Sequence, residues 1–131
     1  MPRKNTWSKK ERLFRKKDIE TLFQKGKAFS VPNIRVVYYI TERPKSEWAP
    51  IRLGIVVPKK RFSKSVERNK IKRWTKEAWR INKHEMYSII PENEQWHVFF
   101  IFASKKMPTF QKMEEAVMNI LKEWKKRETH V

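Results

Sequence analysis

The chain contains no cysteine, so disulfides, thiolate nucleophiles and cysteine-ligated zinc are all excluded. Its only glycines are Gly26 and Gly54, too few and too far apart for a glycine-rich loop around a phosphate. Asp18 is the sole aspartate, most glutamates stand singly in charged segments, and the adjacent pair Glu114 and Glu115 diverges on a helix. A two-metal nuclease centre needs several carboxylates converging within a few ångströms, and this pattern does not supply them. His84, His97 and His130 show no ligand spacing. No apolar run is long enough to span a bilayer, and no charged n-region leads into an apolar h-region. The expectation is a cytoplasmic protein with no membrane partner.

What the chain has in excess is positive charge. Thirty-two Lys and Arg against fourteen Asp and Glu give a formal charge of +18 over 131 residues. Such a molecule repels itself unless an anion neutralises it, and a phosphate backbone is the commonest candidate. Aromatic residues make up 13% of the chain, enough apolar surface to offset the entropy of folding, so one folded domain over 1–131 is expected. Residues 1–30 hold ten basic and three acidic residues, residues 59–83 hold eleven and two, and residues 84–104 hold three acids and no Lys or Arg. Residues 1–14 read as a basic arm, with Ser8 and Glu11 as a possible capping box, and 127–131 as a frayed tail.

Ile19, Leu22 and Phe23 carry helical spacing, and Gly26 follows where a helix C′ residue would turn left-handed. NIRVVYYIT (33–41) and IRLGIVV (51–57) read as strands, joined most simply as a hairpin across ERPKSEWAP, with a further short strand open at 27–31. SVERNKIKRWTKEAWR (65–80) reads as a helix capped by Ser65 and running to about residue 83. WHVFFIFA (96–103) is a strand apolar on both faces, and Phe110 to Trp124 repeats at helical spacing. The order is α, β strands, α, β, α.

On a helical wheel Ile71, Trp74, Ala78 and Ile81 form an apolar sector, with Asn69, Lys72, Arg73, Lys76 and Arg80 opposite. A merely solvated face mixes charge signs, yet Arg68, Lys72 and Lys76 stack at i, i+4 with no acid between them. That face is read as anion-binding, and Asn69 adds an amide able to address a phosphate, ribose or base edge. Trp79 lies between the sectors and reads as a half-buried core residue, and Trp74 as core. The preceding PKKRFSK brings Lys59, Lys60, Arg61 and Lys64 to the helix N-terminus, where backbone amides favour phosphate.

Arg68 to Glu77 resembles the signature R-N-R-x-K-R-x-x-R-[EQ] of the bacterial ribonuclease P protein subunit, with Lys70 and Lys76 standing where arginine is usual. Ammonium lacks the guanidinium fork, so bidentate contacts would differ at those two positions. The flanks are similar as well: Phe23 to Gly26 as F-x-x-G, VPKK (57–60) as V-S-K-K, and Val66 leading into the signature, a likeness spanning about residues 10–125.

The resemblance implies an α-β-β-β-α-β-α sandwich, α+β, with a four-stranded sheet and a left-handed β-α-β crossover, as in the second domain of ribosomal protein S5. That handedness runs against the general preference for right-handed crossovers. It also implies a protein that contacts the ribonuclease P RNA subunit at Arg68, Asn69, Lys70, Lys72, Arg73, Lys76 and Arg80. A cleft for the 5′ leader of precursor tRNA is implied at Ile19, Phe23, Val36, Tyr38 and Lys60, Ile19 standing where an aromatic is common. Catalysis would belong to the RNA subunit with Mg²⁺, the protein alone holding no cofactor and remaining monomeric. A ribosomal-protein-like rRNA-binding module and a stand-alone nuclease are the rival classes.

Overall fold

A computed structural model describes residues 11–13, 15–45 and 47–128. The elements run α1 (Lys16–Lys25), β1 (Lys27–Val31), β2 (Ile34–Glu42), β3 (Ile51–Val56), α2 (Ser65–Tyr87), β4 (Glu94–Phe102) and α3 (Phe110–Glu128). The four strands form one mixed sheet in the order β1-β2-β4-β3. One face carries α1, and the other carries α2 and α3.

β4, the most continuously apolar strand, takes a central place. It pairs antiparallel with β2 and parallel with β3, and α2 forms the crossover between β3 and β4. The expected β2–β3 hairpin is therefore not formed. A central strand is covered on both faces, so the run that is apolar on both faces goes between the two strands that sequence order would have paired. The hairpin lies one step earlier: β1 and β2 turn through Pro32 and Asn33, with Asn33 in the left-handed region at φ 78°.

Strand alternation divides the side chains cleanly. Val36, Tyr38, Leu53, Trp96, Val98 and Phe100 enter the core under α2 and α3, where Trp124 meets the rings of Phe29, Tyr38, Trp79, Trp96 and Phe100 at 5.5–6.2 Å or just beyond, the longest being 6.3 Å to Trp79. Val37 and Phe99 instead join Leu13 and Leu22 beneath α1.

Four helix ends differ from expectation. Gly26 is extended (φ −73°, ψ 161°) rather than left-handed. Its role is space: a Cβ there would lie 2.4 Å from the Leu22 carbonyl oxygen and 2.9 Å from that of Tyr38. Lys64, not Ser65, occupies the N-cap of α2, without a side-chain cap, and the helix continues to Tyr87 because Lys83 and Met86 are buried on its inner face. At the far end, Arg127 and Glu128 belong to α3 rather than to a frayed tail. Glu128 accepts a 2.5 Å hydrogen bond from the Tyr38 hydroxyl and a 3.0 Å one from Lys27, which ties the last helical turn to the sheet.

The end of the basic arm is docked. Leu13 donates its amide to the Leu53 carbonyl at 3.0 Å, and Arg12 bridges Leu53 in parallel along the outer edge of β3. Glu11, buried at 8% exposure, accepts from Lys83 and from the Tyr87 hydroxyl, each at 2.6 Å. Burial and that carboxylate push the Tyr87 hydroxyl pKa up. Ser8, the proposed capping partner of Glu11, lies outside the described residues.

Candidate nucleic-acid interface

The α2 helix presents its basic face because its inner face is claimed elsewhere. Ile71, Thr75, Ala78, Trp79, Lys83 and Met86 are buried, a stripe rotated from the one the wheel implied. Trp79 is completely buried against Phe100 and Trp124, whereas Ile81 is 46% exposed and Trp74 only half-buried. The rotation follows size: the sheet accepts the larger buried area of a Trp at 79, and Ile81 turns outward. Trp74 instead lies under the Lys70 ammonium, 5.0 Å from the ring centroid.

Asn69, Lys70, Arg73 and Lys76 are exposed on the outer face, with Lys72 half-buried beside them. Arg68 folds back, its guanidinium donating to the carbonyls of Phe62 and Ser63 at 2.8 and 2.7 Å. It therefore shapes the β3–α2 loop as well as carrying charge. Arg80 is held by Glu77 at 2.9 and 2.5 Å, which lowers the Glu77 pKa and offsets the arginine charge locally. Within this face Lys72 and Arg73 hold no ion pair among the described residues.

The loop from Pro58 to Lys64 is anchored by Phe62, buried against Phe102 at 5.7 Å. Lys59, Lys60, Arg61 and Lys64 radiate from it and are exposed. Lys60 and Arg61 line an open cavity of about 550 Å³ with Pro58 and Lys105. Lys105, from the β4–α3 connection, was missed in the sequence. Its only signal is the doublet Lys105–Lys106 following a segment without basic residues.

The second surface lies beneath α1. Register aligns its floor in rows: Val37, Phe99 and Gly54 side by side, and Tyr39, His97 and Arg52 in the next. The first row is apolar and the second polar. Phe23 of α1 is 51% exposed and meets Phe99 edge-on at 5.4 Å, with Ile19 packed nearby. Ile19 and Phe23 thus stand where the cleft was expected. Val36 and Tyr38 do not, because both are buried in the opposite core at 0% and 1% exposure. One residue of strand register separates the two faces, so Val37 and Tyr39 take their places. Lys60 lies in the cavity shared with Lys105.

The polar row is ordered by its neighbours. Gln95 donates its side-chain amide to the Ala49 carbonyl at 3.0 Å, which leaves its oxygen to accept from His97 Nε2 at 3.0 Å. The Gln95 oxygen can only accept, so Nε2 is the donor, and burial lowers the His97 pKa. Arg52 is buried over Trp48, its guanidinium 5.5 Å from the ring, and burial with Arg15 nearby lowers its pKa.

Gly54 makes room for this floor, since a Cβ there would fall 1.9 Å from Phe99 Cε1. Gly54→Ala should force the Phe99 ring off its seat and destabilise the fold by about 1–3 kcal/mol. A thermal unfolding midpoint equal to that of the unsubstituted chain would show that the ring has free space to move.

A family model described as Ribonuclease P matches residues 7–125. The ribonuclease P protein component of Porphyromonas gingivalis is 35% identical over 115 residues, covering 87% of this chain and 82% of the relative. That of Thermotoga maritima is 30% identical over 122 residues, covering 89% and 94%. Among solved structures, the Staphylococcus aureus RNase P protein superposes with a TM-score of 0.67 at 25% identity, covering 88% of this chain and 95% of that one. The Thermotoga maritima RNase P protein gives 0.64 at 30% identity, covering 86% and 96%. With a family match across both the basic helix and the α1 cleft, the chain belongs to the ribonuclease P protein family.

Proposed function

We propose that this chain is the protein subunit of a ribonuclease P ribonucleoprotein, a monomer that binds the catalytic RNA through α2 and its preceding loop and holds the 5′ leader of precursor tRNA beneath α1. The carrying observation is the pairing of two unlike surfaces in one small domain. One is a cationic helix face suited to a structured phosphate backbone, and the other an aromatic-lined groove suited to an unpaired strand.

The chemistry of leader removal is assigned to the RNA and its Mg²⁺. No three His, Cys, Asp or Glu side chains among the described residues are grouped to hold a metal ion. The protein's contributions are then electrostatic and positional. Lys72, Arg73 and their neighbours neutralise RNA phosphates and lower the repulsion between two polyanions, while Phe23 and Tyr39 offer ring faces to leader bases. No described helix is long and apolar enough to cross a membrane. The cytoplasm, where tRNA precursors are made, is the proposed compartment.

Reconstitution tests the reading. Mixed with a bacterial ribonuclease P RNA, precursor tRNA and Mg²⁺ at near-physiological salt, the protein should accelerate release of the 5′ leader, and alone it should release none. An unchanged rate would place the chain among structural RNA-binding proteins, and cleavage without the RNA would make it a nuclease in its own right.

A further inference from the structure

β1 is shorter than the strand it pairs with. It begins at Lys27, opposite Tyr38, so β2 continues through Tyr39, Ile40, Thr41 and Glu42 with β4 on one side and no described strand on the other. The direction of the backbone groups there follows from two hydrogen bonds. The Asn33 carbonyl accepts from Ala103, and the Arg43 amide donates to Asn93, both toward the β4 side. Backbone groups alternate sides along an antiparallel strand, so odd-numbered residues of β2 face β4 and the amide and carbonyl of Ile40 face outward.

That outward edge opens into a cavity of about 260 Å³ lined by Lys25, Lys27, Tyr38, Tyr39 and Ile40. Lys25 comes from the last turn of α1, and Lys27 from the first residue of β1. Lys27 also pairs with Glu128 at 3.0 Å, yet its side chain stays 63% exposed, and the Tyr38 hydroxyl shares the same carboxylate. Two ammonium groups, an outward amide and the edge of the Tyr39 ring thus converge on one notch. It adjoins the floor of the α1 groove through Tyr39.

We propose that this notch binds a backbone phosphate of single-stranded RNA, extending the leader groove past Tyr39 around the end of β1. The inference rests on the leader-binding reading above. The two lysines supply charge, the Ile40 amide supplies a directed donor, and a strand leaving the Tyr39 ring meets them next. An acidic peptide added as a strand would use the same edge, but only Ile40 and Glu42 offer outward backbone groups, a poor ladder beside two lysines suited to phosphate.

The test uses the reconstituted holoenzyme, with precursor tRNAs whose leaders either stop short of the notch or run well past it, and mature tRNA as reference. Lys25→Ala/Lys27→Ala should weaken long-leader binding about tenfold at low salt and flatten its salt dependence by about 0.7 of a unit per lysine, with the loss confined to the long leader. Lys25→Ala alone, which breaks no ion pair seen in the structure, should show the same selectivity at smaller amplitude and serves where the double variant folds poorly. Equal losses on both leaders, or none, would overturn the notch while leaving the groove reading intact, and an acidic peptide edge would give that second result. If the unsubstituted holoenzyme binds all three RNAs equally, the leader reading fails and the notch fails with it.

Discussion

Tyr39→Ala should weaken binding of precursor tRNA several-fold while leaving mature tRNA and the unfolding midpoint almost unchanged, and Tyr38→Ala should lower the unfolding midpoint without discriminating between the two RNAs. The two residues are neighbours in sequence but lie on opposite faces of β2. Tyr38 is 1% exposed, its ring stacked on Trp96 at 5.7 Å and edge-on to Phe29 and Trp124 at 5.9 Å. Removing it leaves a cavity in the main core and should cost about 3–5 kcal/mol. Tyr38→Phe keeps the ring and withdraws only the donor to Glu128, a loss of about 1–2 kcal/mol. Burial and the Glu128 carboxylate both hold the Tyr38 hydroxyl pKa well above its ordinary value, so the phenol stays protonated throughout the neutral range. Tyr39 packs more lightly, half-buried beside Val37 and Phe99 with part of its ring open to the groove. Stacking on a base is worth about 1–3 kcal/mol, which sets the size of its selective effect. Equal losses for precursor and mature tRNA on replacing Tyr39 would remove it from the leader path.

The contrast between these tyrosines shows where sequence stops being informative. In VVYYI both faces of the strand are apolar, so the period of two that normally tells inside from outside is erased, and a reading one residue out looks equally good. The same loss of contrast in WHVFFIF was useful, because an all-apolar strand announces a covered position. Its consequence for strand order was not readable, since nothing local says that β4 separates β2 from β3. The basic helix was legible for the opposite reason. Its unmixed charges at i, i+4 mark the outward side of the helix, and only the centre of the apolar stripe moved, from Trp74 toward Trp79. Glu11 and Lys83 are beyond local reading altogether. A buried pair joining residues seventy-two apart looks in sequence like two more solvated charges, and so does Lys105 until its loop is seen beside Lys60 and Arg61.

On the α2 face itself the expected ranking of substitutions follows from how each cation is held. Lys72→Ala/Arg73→Ala should have the largest effect on binding of the ribonuclease P RNA, lowering affinity at least tenfold and flattening the salt slope by about 1.4–1.8 units, since each lost phosphate contact removes about 0.7–0.9. Neither residue supports another element by an ion pair or hydrogen bond among the described residues, so the unfolding midpoint should stay put. Arg68→Ala combines two losses. It removes a charge and frees the Phe62 and Ser63 carbonyls, so the loop bearing Lys59, Lys60, Arg61 and Lys64 loses its brace. Arg68→Lys should restore most of the salt slope and part of the affinity, because a single guanidinium nitrogen makes both carbonyl bonds and an ammonium keeps donors for them while losing the planar fork for phosphate. Arg80→Ala should matter least. Glu77 already sits 2.5 Å from its guanidinium and is unmasked as a negative charge when the arginine is removed, so Arg80→Ala/Glu77→Ala should bind RNA better than Arg80→Ala alone. A salt slope unmoved by the Lys72 and Arg73 changes would take the RNA contact off this face of α2 and shift it to the cluster of Lys60, Arg61 and Lys105.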